Sequence, residues 1–263
     1  MLQPPNILTI AGSDSGGGAG IQADLKTIMA LGGYGMSVIT ALTAQNGLGV
    51  SAIHAPAPDF VLAQFKAIIE GFEVKVAKTG MLFSSEIMLA LAPELKKCQF
   101  PLIVDPVCVS QSGHTLLQES AVATLKEHII PLASLLTPNK PEAELLSGIE
   151  IKNNDDIARA GKILLDMGAK AVLIKGGHFE KSIVLTDWLC LENTKPQAYV
   201  QAHIETNNNH GTGCTLSAAI ATNLGLDMPL SIAITNAQKY VNLAIRKSYN
   251  PGKGHGPLNH AAH

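Results

Sequence analysis

The sequence predicts an α/β fold, a single-domain three-layer α/β/α sandwich around a mostly parallel central sheet. Short β-branched apolar runs alternate along the chain with longer segments of 3.6-residue periodicity, which is typical of a parallel sheet with helices on both faces. The strand runs are apolar along their whole length, so both of their faces are expected to be buried. No Ser/Pro-rich linker, charge run or repeat divides the chain, so we expect one domain over residues 1–263.

Seven apolar runs predict the strands, and four periodic segments between them predict helices. The strands are Asn6–Ile10, Met36–Thr43, Val74–Lys78, Leu102–Asp105, Leu135–Thr137, Ala171–Lys175 and Ile183–Leu191. The helices are Ile21–Leu31, Phe60–Glu70, Asp155–Met167 and Leu230–Lys247. The first helix is expected to bury a stripe that includes Ile28 and Met29, and the second to begin at an Asp59 cap.

Composition excludes several classes of protein. Hydrophobic residues make up 46% and charged residues 15% of the chain, which excludes disorder as the main state. The net charge of −2 provides no global basic field for nucleic acid or anionic lipid. The start has no signal-peptide pattern, and no run approaches the roughly 18 apolar residues of a membrane span.

Cysteine and histidine usage points to a reducing compartment and to no resident zinc. The four cysteines form no CxxC pair, so we expect reduced thiols in a cytoplasmic protein. Three histidines, His255, His260 and His263, crowd the end of the chain. Histidines in such a tail are expected to be solvated rather than metal-bound.

A first glycine cluster follows the first strand and opens a helix. Five glycines lie between Ala11 and Gly20, which favours a ligand-binding loop over a flexible turn. Gly18, Gly20 and Ala23 satisfy the G-x-G-x-x-A dinucleotide fingerprint. That fingerprint also expects an acidic residue at the end of the second strand, and none is present there.

Gln45 stands where that acid is expected. A carboxamide is a donor and an acceptor, and suits the edge of a heterocycle better than a ribose diol. Asp24, in the first turns of the following helix, is by itself more typical of a solvated acid favoured by the helix dipole. Paired with Gln45, it becomes a candidate acceptor for an exocyclic amine.

A second glycine cluster, Asn207 to Ala221, gives the stronger signal. A Gly-Thr-Gly turn around Thr212 opens a helix rich in small residues. The amides from Gly211 to Cys214 are expected to converge at the positive helix terminus and to form an oxyanion or phosphate hole. A cysteine in this first turn is expected to have a lowered pKa and to be partly thiolate near neutral pH.

Polar residues follow three further strands. Asp105 ends one strand, Asn139 and Glu142 follow the next within a Pro-stiffened turn, and Lys175 precedes two glycines. The amide and the carboxylate can approach one Mg²⁺ ion, and the lysine can meet a phosphate as a point charge. Together these residues provide the parts that phosphoryl transfer uses.

These motifs resemble a known family. The set AGSDSGGGAGIQADLK, ALTAQN, KTGML, DPV, TPNKPEAELL, IKGGH, NNHGTGCTLSAAIA and GHGPLNH is similar to the hydroxymethylpyrimidine/phosphomethylpyrimidine kinases of thiamine biosynthesis, in the ribokinase-like superfamily. The resemblance runs from about Ile7 to His260, so the motif-bearing core of the domain covers about 6–260. GTGC in place of the commoner GxGD separates this family from sugar kinases.

The resemblance implies an activity and a set of site residues. The family phosphorylates 4-amino-5-hydroxymethyl-2-methylpyrimidine with magnesium-ATP, and then phosphorylates the monophosphate to the diphosphate; a cytoplasmic homodimer is implied. By position, the substrate-binding residues would be Gln45, Asp24, Gly12, Met81 and Val107. ATP would be bound by Asp105, Asn139, Glu142, Lys175 and Thr212, with Glu142 and Asp105 at the metal. The catalytic residues would be Cys214, Gly211, Gly213 and Lys175.

Cys214 lies where relatives carry a catalytic aspartate, and two roles remain open for it: a weak general base, or a hydrogen-bonding member of the anion hole.

The sequence departs from the family at two positions. Gln111 replaces a frequent lysine, which could slow the second phosphorylation, and Gly47 replaces a frequent threonine. A closing lid is expected either at Ser84–Ser85 or in the Gln111–His114 loop.

Three alternative functions differ in what they require. A pyridoxal kinase of the same superfamily is the closest, because both substrates are heteroaromatic rings with a hydroxymethyl group. A nicotinamide oxidoreductase would use the first glycine cluster but leaves the HGTGC motif unexplained. A non-catalytic vitamin-binding protein would need neither the Asn139–Glu142 pair nor the anion hole.

Overall fold

The structure is a computed structural model that describes residues 3–108, 119–176 and 183–262. These residues form a nine-stranded sheet in the order β3-β2-β1-β4-β5-β6-β7-β8-β9. The six strands from β2 to β7 in that order are parallel, whereas β3, β8 and β9 pair antiparallel. The strands are β1 (Asn6–Asp14), β2 (Tyr34–Asn46), β3 (Gly49–His54), β4 (Val76–Thr79), β5 (Leu102–Val104), β6 (Leu135–Leu136), β7 (Ala171–Ile174), β8 (Val184–Leu191) and β9 (Gln197–Ala202).

Helices cover both faces of the sheet and give the expected three layers. They are α1 (Gly20–Ala30), α2 (Pro58–Gly71), α3 (Ser85–Leu95), α4 (Glu119–Thr124), α5 (Lys140–Ser147), α6 (Asn154–Asp166), α7 (Thr212–Gly225) and α8 (Leu230–Arg246). After α4 the chain makes a π turn, Leu125–Ile129, and a 3₁₀ turn, Ile130–Leu132. One apolar core lies under α2 to α6, and the second lies under α1, α7 and α8.

All seven predicted strands and all four periodic helices are present, with small shifts at their ends. Strand β3 was missed because it is an edge strand whose last four residues are exposed, so it has no apolar run. Two details were wrong. Asp59 is not the N-cap of α2, which is Ala57 followed by Pro58, and Met29 is 80% exposed instead of buried.

The two lid candidates have different outcomes. Ser84 is the N-cap of α3 and accepts the Ile87 amide at 3.4 Å, while the Ser85 hydroxyl receives a bond from Thr124 at 3.1 Å. These contacts tie Ser84–Ser85 to helices, which disfavours a lid there. The Gln111–His114 loop lies outside the described residues. Across the residues that the structure describes, no helix has the length and apolar character needed to cross a membrane.

The glycine at position 47 is required by the C-terminal segment. A Cβ on Gly47 would lie 2.4 Å from the Lys253 carbonyl oxygen and 2.7 Å from that of His255, and the His255 amide donates to the Gly47 carbonyl at 2.8 Å. The His210 amide in turn donates to Gly256 at 3.1 Å. Backbone packing therefore explains why glycine stands where the family often has threonine. The same packing places the C-terminal segment against the second glycine cluster.

His260 is buried, contrary to the expectation of a solvated tail. Its Nε2 lies 3.0 Å from the Thr215 hydroxyl of α7, and its carbonyl accepts the Tyr240 hydroxyl at 2.7 Å. Burial, with a smaller effect of Lys26, lowers its pKa from 6.5 to about 4. The unfolded chain therefore binds this proton more tightly, and the stability that His260 contributes above pH 6.5 is lost as the pH falls toward 4.

The free energy of unfolding of His260→Gln is expected to fall less steeply at acidic pH than that of the wild type. The wild type should lose about 2 kcal/mol more than the variant between pH 7 and pH 4.5, since each pKa unit corresponds to about 1.4 kcal/mol. Urea unfolding at both pH values measures this difference. His255→Gln, at an exposed histidine of the same segment, is the matched control. Equal acid slopes for the wild type and His260→Gln would contradict the assignment.

Candidate active site

A cavity of about 560 Å³ lies along the edge of the sheet where the parallel strands end. Its lining follows the strand order. Gln45 comes from β2, Gly12 from β1, Met81 follows β4, Val107 follows β5, Asn139 follows β6, Lys175 follows β7, Leu185 lies on β8 and Gln201 on β9. Ligands of open α/β sheets bind at this edge. The cavity is elongated, with Gln45 at one end and β8 and β9 at the other.

Lys175 lies at the middle of this cavity in a largely buried ion pair. Its Nζ lies 2.8 Å from Asp105 Oδ1, which also accepts the Thr137 hydroxyl at 3.2 Å, and Ser217 donates to Asp105 Oδ2 at 3.3 Å. Burial opposes the charge of Lys175, but the carboxylates of Asp105 and Glu142 raise its pKa. Burial likewise opposes the charge of Asp105, and Lys175 and Lys78 lower its pKa. Lys175 is thus held as a cation facing the cavity.

The start of α7 faces the same lysine. Gly211 is the N-cap, with φ +85°, and a Cβ there would lie 1.8 Å from the Gly18 carbonyl oxygen, so only glycine fits. A Cβ on Gly213 would lie 3.3 Å from Lys175 Nζ. The amides of Gly213 and Cys214 precede the first intrahelical bonds and have no acceptor among the described residues. Two amides without an acceptor among the described residues therefore lie at the helix start beside this cation.

Thr212 is used differently from what we expected. Its amide donates to the Asn209 carbonyl at 3.2 Å and its hydroxyl donates to the same oxygen at 2.6 Å. Both groups are engaged in holding the turn. The anion hole is thus smaller than predicted, and Thr212 supports it without presenting a free donor.

The prediction of a thiolate at Cys214 is wrong. Burial raises the pKa of this thiol to about 11, although Lys78 and the Gly20 amide act in the opposite direction. Desolvation of the sulfur therefore outweighs the helix terminus. Cys214 lines the cavity as a neutral thiol, which favours the hydrogen-bonding role over the role of a base.

Asn139 and Glu142 form the capping box of α5. The Asn139 side chain accepts the Glu142 amide at 2.9 Å, and Glu142 Oε2 accepts the Asn139 amide at 2.8 Å. The Asn139 oxygen is therefore engaged by the helix and is a poor ligand for a metal. Glu142 borders the cavity, and burial, with the nearby charge of Asp105, raises its pKa to about 7 against the effect of Lys175.

The Asp14 carboxylate holds the first glycine cluster by accepting hydrogen bonds from its backbone amides. Its carboxylate accepts the amides of Gly16 at 2.8 Å, Gly18 at 3.0 Å and Ala19 at 2.8 Å, and it lies 2.9 Å from His210 Nε2. Burial opposes its charge, but His210 and these amides lower its pKa. Because the loop amides are engaged by a carboxylate, they cannot cradle a pyrophosphate. This observation argues against the nicotinamide alternative.

Asp24 lies behind the cavity instead of lining it. Lys78 Nζ is 3.0 Å and 2.9 Å from its two oxygens, and the Thr9 hydroxyl donates at 2.6 Å. The sequence suggested that Asp24 contacts an exocyclic amine of the substrate. Asp24 is fully buried and does not line the cavity, so it makes no such contact. Lys78, its partner, does border the cavity beside Cys214. The Asp24 carboxylate therefore acts on the cavity through Lys78.

The remaining substrate-binding candidates do meet at one end of the cavity. A Cβ on Gly12 would lie 2.5 Å from Met81 Cε, so the glycine lets that side chain lie against the strand. Gln45, Met81 and Val107 border the same space. The predicted ring site is therefore assembled by residues from β1, β2 and the segments after β4 and β5.

Three site residues were missed: Asp14, Lys78 and His210. One sequence signal was available for Lys78, since a lysine at the end of a strand predicted to be buried is rarely buried without a charged partner. Asp14 and His210 are 196 positions apart and could not be paired from the sequence. Gly177 and His178, quoted within the IKGGH motif, lie outside the described residues.

Comparison with a solved structure places this site in a known class of enzyme. The ADP complex of Bacillus subtilis pyridoxal kinase is similar, with a TM-score of 0.89 and 35% identity, covering 98% of each chain. The sandwich, the cavity at the strand ends and the glycine-opened helix beside a lysine define a small-molecule kinase with a ribokinase-like fold.

Comparison with sequences gives the family. A model of that family, described as phosphomethylpyrimidine kinase, matches residues 14–259, and the chain belongs to this family. The hydroxymethylpyrimidine/phosphomethylpyrimidine kinase of Synechococcus elongatus is 44% identical over 256 residues, with 97% of each chain covered. The thiamine biosynthesis bifunctional protein ThiED of Geobacter sulfurreducens is 48% identical over 259 residues, which are 97% of this chain and 52% of that one. The chain thus spans about half of the bifunctional relative.

Proposed function

We propose that this protein transfers the terminal phosphoryl group of ATP to 4-amino-5-hydroxymethyl-2-methylpyrimidine, and then to the resulting monophosphate. The observation that carries the proposal is the arrangement of the cavity. Gln45 offers a carboxamide at one end, and Lys175 with the start of α7 provides an anion site in the middle. Leu185, Leu216, Val241 and Ile245 provide apolar surface at the far end, where the polar residues Asp187, Gln201 and His203 also line the cavity.

The strand order sets the places of the two substrates. Neighbouring strands are about 4.8 Å apart, so the cavity can hold a ring near β2 and β1 and a nucleotide near β8 and β9. The reacting hydroxymethyl oxygen would then point along the sheet edge toward Lys175. An in-line displacement follows, in which this oxygen bonds to the terminal phosphorus, the bridging oxygen of ATP leaves with its electron pair, and the hydroxyl proton passes to an oxygen of the transferred phosphoryl group or to water.

The chain supplies electrostatic stabilisation during this step. Lys175 is held as a cation by Asp105 at 2.8 Å, and the amides of Gly213 and Cys214 face the same point. Preorganised donors of this kind stabilise the charge of a migrating phosphoryl group without reorganising. The same arrangement serves an alcohol and a phosphomonoester, because it acts on the group that is transferred.

The residues present fit a Mg²⁺ ion that arrives with the nucleotide. In residues 3–108, 119–176 and 183–262 no group of three or more metal-ligating side chains occurs, so no resident metal cage is built. Glu142 is a buried carboxylate bordering the cavity, and burial raises its pKa to about 7 although Lys175 acts in the opposite direction. Mg²⁺ is commonly held by one or two carboxylates together with phosphates and water. We propose Glu142 as the ligand, with Asp105 acting through water; the ion would neutralise phosphate charge.

Cys214→Ala is expected to lower turnover of the alcohol and of the monophosphate by the same factor, about 10²-fold, since it removes one donor of the anion hole. A neutral thiol with a pKa of about 11 has no role specific to deprotonating the alcohol. Single-turnover rates on both acceptors measure the two factors. Cys214→Ser, which keeps a hydrogen-bond donor, is the control. A loss on the alcohol at least ten times larger than on the monophosphate would restore the base role.

A coupled ATP assay that follows both the mono- and the diphosphate tests the proposed activity. We expect kcat/KM for the hydroxymethylpyrimidine to exceed that for pyridoxal. Gln45 can pair at the same time with a ring nitrogen and with the exocyclic amine next to it, and pyridoxal has no such amine. The likeness to pyridoxal kinase makes pyridoxal the necessary competitor. Preference for pyridoxal, or no pyrimidine monophosphate with Mg²⁺-ATP present, would reject the proposal.

We further expect a homodimer that works in the cytoplasm. Leu42, Leu48 and Ile53 are exposed near the edge strand β3, and such an edge is usually covered. All four cysteines are free thiols, as is typical of a reducing compartment. Sedimentation equilibrium measures the oligomeric state.

A further inference from the structure

The carboxamide of Gln45 lies beside a hydrogen-bonded pair, Asp14 and His210, that joins the two glycine-rich segments. His210 Nε2 is 2.9 Å from Asp14 Oδ2 and 3.4 Å from Gln45 Nε2. On the other side of the carboxamide, Gln45 Oε1 lies 3.1 Å from the Thr43 hydroxyl, which also lies 2.9 Å from the Ser13 carbonyl oxygen. The orientation of this carboxamide decides which hydrogen-bonding groups face the cavity.

The proton on His210 fixes that orientation. Asp14 accepts three loop amides and is an anion, so it can only accept, and His210 Nε2 must carry a hydrogen and donate. An amide nitrogen of Gln45 facing it would set two donors against each other. A half rotation of the carboxamide brings Oε1 to His210 and Nε2 to Thr43, whose own hydrogen goes to Ser13. Each donor then has an acceptor, with the single N–H of His210 shared between Asp14 Oδ2 and Gln45 Oε1.

We propose that His210, held by Asp14, is a positioning residue that fixes the carboxamide of Gln45 in this rotated orientation and thereby sets the preference for a 4-aminopyrimidine ring. This inference rests on the proposed function. The free edge of the fixed carboxamide offers one N–H and one oxygen lone pair in a set order. That order pairs with a ring nitrogen next to an exocyclic amine, as amides pair with adenine.

The backbone around this pair supports a rigid arrangement. A Cβ on Gly18 would lie 2.5 Å from His210 Cδ2, so the imidazole packs directly on the first glycine cluster. The Gln45 amide and carbonyl are both bound to the Ser15 hydroxyl at 2.8 Å. A 4-oxo ring, which carries N–H and carbonyl in the reverse order, would need the carboxamide turned back, with two donors facing each other at His210.

The test compares 4-amino-5-hydroxymethyl-2-methylpyrimidine with its 4-oxo counterpart in the coupled ATP assay. We expect the wild type to prefer the amino ring by at least about 10-fold in kcat/KM. His210→Leu should bring this ratio close to 1, mainly by raising KM for the amino ring while kcat changes less. His210→Gln, whose amide nitrogen can occupy the Nε2 position, should keep most of the ratio.

Four outcomes would overturn the inference. His210→Leu could lose kcat/KM equally on both rings and keep the wild-type ratio, which would indicate a structural role only. The wild type could accept both rings equally while still making the pyrimidine monophosphate, which would leave the proposed function intact. No activity of the wild type on the amino ring would reject the proposed function itself and the inference with it. If near-UV circular dichroism shows that His210→Leu does not fold, Thr43→Val is measured instead, because it removes the hydroxyl on the other side of the Gln45 carboxamide. An unchanged ratio of kcat/KM for the two rings in Thr43→Val would overturn the inference equally.

Discussion

Lys175→Met is expected to lower kcat by about 10³-fold on the alcohol and on the monophosphate, because removing a preorganised charge at the migrating group costs this much. Lys175 is the buried cation next to the open start of α7, with Nζ 3.3 Å from the place that a Gly213 side chain would take. KM for the pyrimidine should change little, since Gln45 and Met81, the residues proposed to bind it, lie several strands away. Initial rates at saturating Mg²⁺-ATP measure the effect.

The substitution also leaves Asp105 without its partner. An uncompensated buried carboxylate costs about 3–5 kcal/mol, so lost activity could reflect unfolding. The double variant Asp105→Asn with Lys175→Met removes that charge and keeps an amide for Thr137 and Ser217. It should recover the urea midpoint but not the activity. Lys170→Met, at an exposed lysine just before β7, is the matched control. A double variant within about tenfold of wild-type kcat would show that Lys175 has no role in transfer.

The periodicity of apolar residues determined most of the fold. Strands such as Leu102–Val104 and Ala171–Ile174 are buried on both faces, and a wholly apolar run reports that environment directly. Strand β3 has no such run, because pairing with β2, not burial, holds it in place. Elements defined by a partner instead of by their own composition are therefore the ones that the sequence does not predict.

The chemical groups of the site were more predictable than their partners. Lys175, Asp105 and the turn from Gly211 follow strands or open a helix, so the edge of the sheet brings them together. Local spacing does not predict the degree of burial, which decides protonation. Cys214 shows this clearly, since the helix terminus favours a thiolate and desolvation opposes it more strongly.

Long-range pairing explains the other differences. Asp24 was predicted to bind the substrate because it is an acid near a glycine-rich loop. In the structure, Lys78 on β4 binds both of its oxygens. The first glycine cluster was expected to bind a ligand, but the Asp14 carboxylate binds its amides. In both cases a charged side chain from this chain occupies the position that the motif suggested for a ligand.

Gly213→Ala is expected to lower kcat by about 10²-fold while leaving the protein as stable as the wild type or slightly more stable. The added methyl group would lie 3.3 Å from Lys175 Nζ and 3.8 Å from Asp105 Oδ2, in the space that we propose for the transferred phosphoryl group. Gly213 lies in the first turn of α7 and is not among the positive-φ glycines, so alanine fits its backbone. Replacing a helical glycine by alanine stabilises a protein by about 0.4–1 kcal/mol when the conformation allows it.

Opposite changes in activity and stability distinguish this effect from general damage to the fold. Gly71→Ala is the matched control, because it adds the same methyl group at the end of α2, where its Cβ meets nothing within 4 Å. Gly71→Ala should leave kcat unchanged, and urea unfolding should give both variants midpoints no lower than that of the wild type. Retention of full kcat by a folded Gly213→Ala would mean that the phosphoryl group passes elsewhere, since a methyl group and a PO₃ unit cannot share the gap between Lys175 and the α7 amides.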